Sequence, residues 1–269
     1  MKMNSLKSLV YFFACGVLLL ASCQNSEDEP IAKQVSLHIT TDIQTRAMNS
    51  TTFSEGQQIA VNVFDKWHTA TYNGKEWVFD EDIPLTDTSV PVYAFYLDGA
   101  KQTIEKNRLF VTAGYINEYR ETEDDYLYGK SSNDVNTGNA TAHIHFFHIK
   151  ARITLAITCN ADRSLAYIGI NNIGDNTCIK PNANFSWESG DYIGNTYGDG
   201  IDISNIDYQL SSKNVLNIDI YVVPMTIEKD GMAELQFTIG GFPYTVGIPA
   251  VTWEAGKHYT YPITININE

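Results

Sequence analysis

Cysteine, long apolar runs and helical periodicity are all scarce in this chain of 269 residues, and each shortage removes a class of protein. Of the four cysteines, Cys15 and Cys23 lie near the start, which leaves Cys159 and Cys178, too few for the disulfide framework of a small secreted domain. Cys159 is in phase with Ile153, Leu155 and Ile157, so it is expected on a buried face, and two reduced core cysteines fit that pattern better than a bridge. The longest apolar run, Leu9 to Ala21, is too short to cross a bilayer. No amphipathic helix longer than two turns can be traced. Basic residues are also few: 18 Lys and Arg face 32 Asp and Glu, a net charge of −14 that rules against nucleic acid as a partner and favours solubility. The chain has no Gly-x-Ser-x-Gly elbow, no His-Glu-x-x-His and no phosphate loop. No enzymatic activity and no cofactor are expected.

Period-two alternation takes the place of these features. Val35, Leu37, Ile39 and Ile43 alternate with polar residues, as do Ile59, Val61 and Val63; Ile153, Leu155 and Ile157; Leu216, Ile218 and Ile220; and Leu235, Phe237 and Ile239. Sixteen tyrosines with abundant Thr, Val and Ile suit pleated, half-buried surfaces. Asn73-Gly74, Asp98-Gly99, Thr137-Gly138-Asn139, Asp230-Gly231 and Gly240-Gly241 supply turns, the last two within an expected meander from Leu216 to Val246. The chain therefore reads as all-β. Ser131 to Thr141, rich in Ser, Asn, Gly and Thr, is the expected linker between an N-terminal sandwich over residues 35–135 and a C-terminal one over 136–269. Asn182 to Asp207 reads as a long surface loop. In the final strand Tyr259, Tyr261, Ile263, Ile265 and Ile267 share one face, and Pro262 predicts an edge position or one unpaired site.

The start of the chain carries its own signal. Lys2 and Lys7 flank the short apolar run, and Leu20-Ala21-Ser22-Cys23 resembles the lipobox of bacterial lipoproteins. That resemblance implies a signal peptide over residues 1–22, lipidation of Cys23 with fatty acyl chains such as palmitate, and a partner in the outer membrane. Several chains on one cysteine turn a weak partition into a lasting anchor, at about 0.8 kcal/mol per buried methylene. Residues 23–34 read as an acidic tether, beginning Gln24-Asn25-Ser26-Glu27-Asp28-Glu29-Pro30, and resemble the export signal of Bacteroidetes surface lipoproteins.

Four groups of residues extend the resemblance over the whole mature chain. They are Thr45-Arg46-Ala47 with Phe53, Glu55-Gly56 and Ile59-Ala60-Val61; Asp125-Tyr126-Leu127-Tyr128-Gly129; Phe147-His148-Ile149-Lys150-Ala151-Arg152; and Trp253-Glu254-Ala255-Gly256-Lys257-His258-Tyr259-Thr260-Tyr261. In this order and spacing they resemble the fimbrillin family of Bacteroidetes, the type V pilins and their accessory subunits. Gln57 departs from the family, which often has an acidic residue after the glycine. The resemblance implies two consecutive Greek-key, transthyretin-like β-sandwiches and assembly into a fimbrium. It also implies an extracellular arginine-specific protease that removes the first strand, so that a neighbouring subunit's strand can replace it. Arg46 is the only arginine between Cys23 and Thr52, which puts the implied cut between Arg46 and Ala47 and makes Tyr259, Tyr261, Ile263, Ile265 and Ile267 the implied donor stripe.

Other clusters are read more plainly. His143 and His145, two apart on one strand face and followed by His148, lack a matching carboxylate spacing and read as solvent-facing or hydrogen-bonded residues, so no metal is expected. Asp191, Asp199 and Asp202 lack the EF-hand pattern. Two functions remain: a fimbrial subunit that polymerises by strand exchange and supports adhesion, or a surface lipoprotein acting as a tip adhesin or ligand-binding module outside the polymer.

Overall fold

Alternating sequence becomes strand throughout the described residues. The computed structural model describes residues 34–44, 52–96, 104–105, 108–112, 114–115, 126–196, 198 and 200–267. The expected signal peptide, Cys23, most of the tether, and Arg46 with Ala47 lie outside these residues. In chain order, β1 spans His38–Gln44, β2 Gln58–Val63, β3 Lys66–Tyr72, β4 Trp77–Phe79, β5 Tyr93–Tyr96, β6 Ile104–Glu105, β7 Arg108–Thr112, β8 Gly114–Tyr115, β9 Leu127–Ser131, β10 Thr141–His148 and β11 Ala151–Cys159. There follow β12 Arg163–Asn172, β13 Asn182–Ser186, β14 Asp191–Thr196, β15 Gly200–Leu210, β16 Leu216–Val222, β17 Met225–Ile227, β18 Ala233–Ile239, β19 Phe242–Ile248, β20 Val251–Trp253 and β21 His258–Ile265. The fold is all-β.

The first seven-stranded sheet runs β1-β10-β9-β5-β2-β3-β4. Its two edges approach each other, because Trp77 Nε1 of β4 donates to Thr41 Oγ1 of β1 at 3.0 Å. Inside lie Leu37, Ile39, Ile59, Val61, Val63, Ala94, Tyr96, Ile144 and Phe146. All four residues of β5 are buried because both faces of that strand are covered. Ala94 and Tyr96 point into this core, while Tyr93 and Phe95 join Tyr128, Phe185 and Trp187 in an aromatic layer on the other face. Gly129 lets β9 and β10 approach: a Cβ there would meet Ile144 Cγ2 at 2.5 Å and the His145 carbonyl oxygen at 2.9 Å.

A second core lies between the sheets β21-β11-β16-β8 and β15-β12-β18-β19. Ile153, Leu155 and Ile157 of β11 meet Ile168 and Ile170 of β12 and Leu235 and Phe237 of β18 there, which is the packing expected when alternating strands face each other across a sandwich. Cys159 and Cys178 are both buried in this core and both free. At Gly240-Gly241, φ is +57° and +84°, the left-handed pair that a two-residue hairpin between β18 and β19 requires.

Three sequence readings change. The expected linker at 131–141 joins β9 to β10, which are antiparallel neighbours in the first sheet. The chain leaves that sheet only after His148, because Ala142, Ile144 and Phe146 complete the first core. The halves also interlock: β7 pairs with β13 and β8 pairs with β16, so Val35–Glu269 forms one compact unit. The expected loop from Asn182 to Asp207 holds β13, β14 and most of β15, with Ala183, Phe185, Ile201, Ile203 and Ile206 buried, so apolar alternation outweighed the local Gly and Asn content. The expected meander breaks where Pro224 follows β16, which sends β16 and β18 to opposite sheets.

Candidate functional site

Two strands stand apart from an otherwise antiparallel design. β1 pairs with β10 in parallel, and β21 pairs with β11 in parallel. Each is an edge strand, and the partners β10 and β11 follow one another in the chain. Parallel strands cannot be joined by a hairpin, so each edge is filled by a segment arriving from a distant part of the sequence. The chain's first and last described strands therefore occupy equivalent places in two different sheets.

At its start β1 is held from both sides. Leu37 N donates to Ile83 O and Leu85 N to Val35 O, each at 2.9 Å, while His38 N donates to Ala140 O at 2.9 Å. From His38 onward the outer side opens onto a cleft of about 520 Å³, lined by β1 together with Phe53, Tyr72, Lys75, Glu76 and Trp77. Leu37 and Ile39 are fully inserted in the core, but Ile43 is only partly buried, so the grip weakens toward the end of the strand that precedes Arg46. An exposed strand side beside a cleft is suited to pairing with another chain.

β21 fills its groove more completely. Ile263 opposes Ile157 and Ile265 opposes Cys159, with 3% and 4% exposure, and Tyr259, Tyr261 and Ile267 pack against the same core. Pro262 sits opposite Ala156 on the edge, where a missing N–H is tolerated. The outer face of the pairing carries a polar clamp. Arg152 Nη2 donates to Asp219 Oδ2 at 2.6 Å, Thr154 also donates to Asp219, and Thr154 Oγ1 lies 2.6 Å from His258 Nε2. Burial alone would raise the Asp219 carboxyl, but hydrogen bonds from Arg152 and Thr154 and the Arg152 charge hold it below its ordinary value. Burial, then the Arg152 charge, lowers His258.

Both shifts make the fold weaker in acid. A folded-state value held below the unfolded one, for the carboxyl as for the imidazole, gives stability that is complete above the unfolded value and is lost as pH falls through the folded one. His258 therefore begins to subtract stability below about pH 6.5, and Asp219 below about pH 4. The melting temperature should fall between pH 7.5 and pH 5, and His258→Gln should flatten that fall. Asp219→Ala should cost about 2–3 kcal/mol at pH 7, because it removes the charge-assisted hydrogen bond from Arg152 and the hydrogen bond from Thr154 on the partly buried outer face of β11. An unchanged pH dependence in His258→Gln would show that the imidazole plays no part.

Residues 41–269 match the family described as fimbrillin-like. The chain belongs to the fimbrillin-like family. No curated protein matches it. Among solved structures, it is similar to a candidate cell adhesion protein from Bacteroides ovatus, with TM-score 0.61 and 14% identity over 86% of this chain and 92% of that one. A second candidate cell adhesion protein, from Bacteroides uniformis, gives TM-score 0.54 at 15% identity over 88% and 94%. A fimbrial protein from Bacteroides vulgatus gives TM-score 0.51 at 12% identity over 87% and 96%.

The fimbrillin-like residues quoted from the sequence have structural work to do around the two edges. In Trp253 to Tyr261, Gly256 N donates to Lys150 O at 2.8 Å and Arg152 N to Lys257 O at 2.9 Å, which starts β21 alongside β11. Trp253 Nε1 donates to Tyr261 Oη at 2.9 Å, and Tyr259 Oη to Thr252 O at 2.7 Å, so β20 orients the strand that follows it. Lys150 is fully buried, with its ammonium 4.3 Å from the centre of the Tyr126 ring. Phe53 packs edge-on against Trp77, Tyr96 and Phe146. Gln57, the departure from the family, donates to Tyr96 Oη at 2.6 Å and accepts from Ser54 N at 2.7 Å.

Of the polar clusters, His143 and His145 do share an outward face of β10, while His148 is buried. The carboxylate missing from the local sequence is Asp42 of β1, which pairs directly with His145. Nothing in the spacing announces it, since the two residues are 103 positions apart and meet only through the parallel pairing. Asp202 accepts a hydrogen bond from Tyr167, and Asp199 lies outside the described residues. Tyr93, Phe95 and Tyr96 are core residues.

Proposed function

We propose that this fimbrillin-like protein is a fimbrial subunit, delivered to the outer membrane as a lipoprotein through Cys23 and, once cut after Arg46, joined to its neighbours by β-strand exchange at the edge filled by β1. The observation that carries the proposal is that β1 is a parallel edge strand beside an open cleft and ends two residues before Arg46. The stripe of β21 has the apolar periodicity to replace it. Five such side chains supply a gross of about 7–15 kcal/mol against an association cost of about 4–15 kcal/mol, so the backbone ladder must make the joint durable. Treatment with an arginine-specific protease should give a product beginning at Ala47, followed by ladders resistant to mild detergent. Arg108, Arg152 and Arg163 lie in strands β7, β11 and β12 and should be spared; Arg120 is outside the described residues. Preferential cutting within those strands, with Arg46 intact, would defeat the proposal.

A second reading draws on β21. Because Ile263 and Ile265 are buried in their own subunit, donating this strand would open the second core. A chain that accepts a neighbour's strand yet keeps its own would be a terminal unit, in the position of a tip adhesin. Incubating cleaved full-length chains alone distinguishes the two, since a stalk unit extends into ladders while a terminal unit that keeps its own β21 does not polymerise with itself.

The anchor is tested separately. Cys23→Ala should abolish incorporation of a fatty-acid analogue and lose or stall the protein at the surface, and full labelling of the variant would overturn the assignment.

A further inference from the structure

We propose that Asp42, His143 and His145 form a binding site for a zinc-class divalent cation that joins β1 to β10. One oxygen or nitrogen from each residue lies within 4.8 Å of those of the other two. His145 Nδ1 is 2.7 Å from Asp42 Oδ1, and His143 Nε2 is 3.7 Å from Asp42 Oδ2. A tetrahedral zinc with bonds of about 2.0–2.1 Å has ligand-to-ligand edges of about 3.3 Å, a value these two separations bracket. The side chains are roughly half exposed, so small rotations close the difference without moving the backbone.

The arrangement also has the support that a metal site needs. Thr40 Oγ1 lies 2.6 Å from His143 Nδ1. With the proton on Nδ1 and the threonine oxygen accepting it, the Nε2 lone pair is left facing Asp42, so Thr40 orients the ligand from behind. The two histidine rings are edge-to-face with centres 4.6 Å apart, which lets their nitrogens converge instead of stacking. Two imidazoles and one carboxylate favour zinc and its transition-metal neighbours over calcium or magnesium, which prefer all-oxygen sets. Three protein ligands leave a fourth position for water.

The site's consequence follows from where its ligands come from. Asp42 arrives on the edge strand and both histidines on its partner, so a bound ion cross-links the end of β1 at the point where apolar burial weakens. This inference holds whether or not β1 is ever removed.

Calorimetric titration of the full chain in detergent with zinc chloride is expected to give one ion per chain in the micromolar range, with no response to calcium or magnesium. His143→Ala with His145→Ala together, and Asp42→Asn alone, should weaken binding at least tenfold, while His68→Gln should not change it. Zinc should raise the melting temperature of the wild type and leave that of the double variant unmoved. Circular dichroism of each variant confirms that the fold is kept. Absence of zinc binding, equal affinity in the double variant, or binding that fails to raise the melting temperature would each overturn the proposal.

Discussion

Ile263→Lys is expected to cost about 4 kcal/mol or more of unfolding free energy, and Thr264→Lys less than about 0.5 kcal/mol, although the two positions are adjacent. Ile263 is 3% exposed and sits against the second core opposite Ile157, whereas Thr264 points to solvent. A lysine at 263 must either bury its ammonium without a partner or pull β21 off the sheet. Equilibrium denaturation in urea reads the difference, and equal midpoints would mean that β21 contributes little to its own subunit. Removing Tyr259 to Glu269 altogether should expose the β11 edge and most of the second core. A synthetic peptide covering His258 to Ile267 should then restore folding in trans, and the same peptide with lysine in place of Ile263 should not.

The sequence made the apolar stripe of β21 plain, because period two needs only the residues themselves. Edge position was legible too, through Pro262. What could not be read was the partner. Parallel pairing of β21 with β11, and of β1 with β10, joins segments about a hundred positions apart, and no turn residue marks such a pairing as Gly240-Gly241 marks a hairpin. The same gap hid Asp42 from the histidines of β10, and the antiparallel pairing of β11 with β16 brought Asp219 to Arg152 and Thr154 across 67 and 65 positions, again with no local mark. Local composition misled in the stretch containing β13 and β14, where Asn and Gly suggested a loop while Ala183 and Phe185 were already in strand phase. The segment 131–141 was ambiguous for a related reason: a polar stretch of this kind is the signature of a turn between two strands as much as of a linker.

Arg46→Ala is expected to prevent ladder formation while leaving the subunit as stable as the wild type. While β1 stays attached, its effective concentration at the β10 edge is about millimolar or higher, well above that of any strand offered by a neighbour. An incoming strand must also displace Leu37 and Ile39, each contributing about 1.5–3 kcal/mol of burial, and the hydrogen bonds that tie residues 35–37 to residues 83–85. Cutting after Arg46 leaves all of those contacts in place but ends the covalent advantage, so the strand can leave and be diluted. The cut alone therefore should not unfold the first core at once; exchange should follow slowly, at a rate set by the departure of β1. Two substitutions separate these steps. Leu37→Ala should accelerate exchange after cleavage, since it loosens the leaving strand, yet should not permit exchange without cleavage. Arg46→Lys should block an arginine-specific enzyme and be rescued by a lysine-specific one. Ladders formed by uncut Arg46→Ala at the wild-type yield would show that this edge is not where subunits join, and the apolar stripe of β21 would then belong to its own core alone.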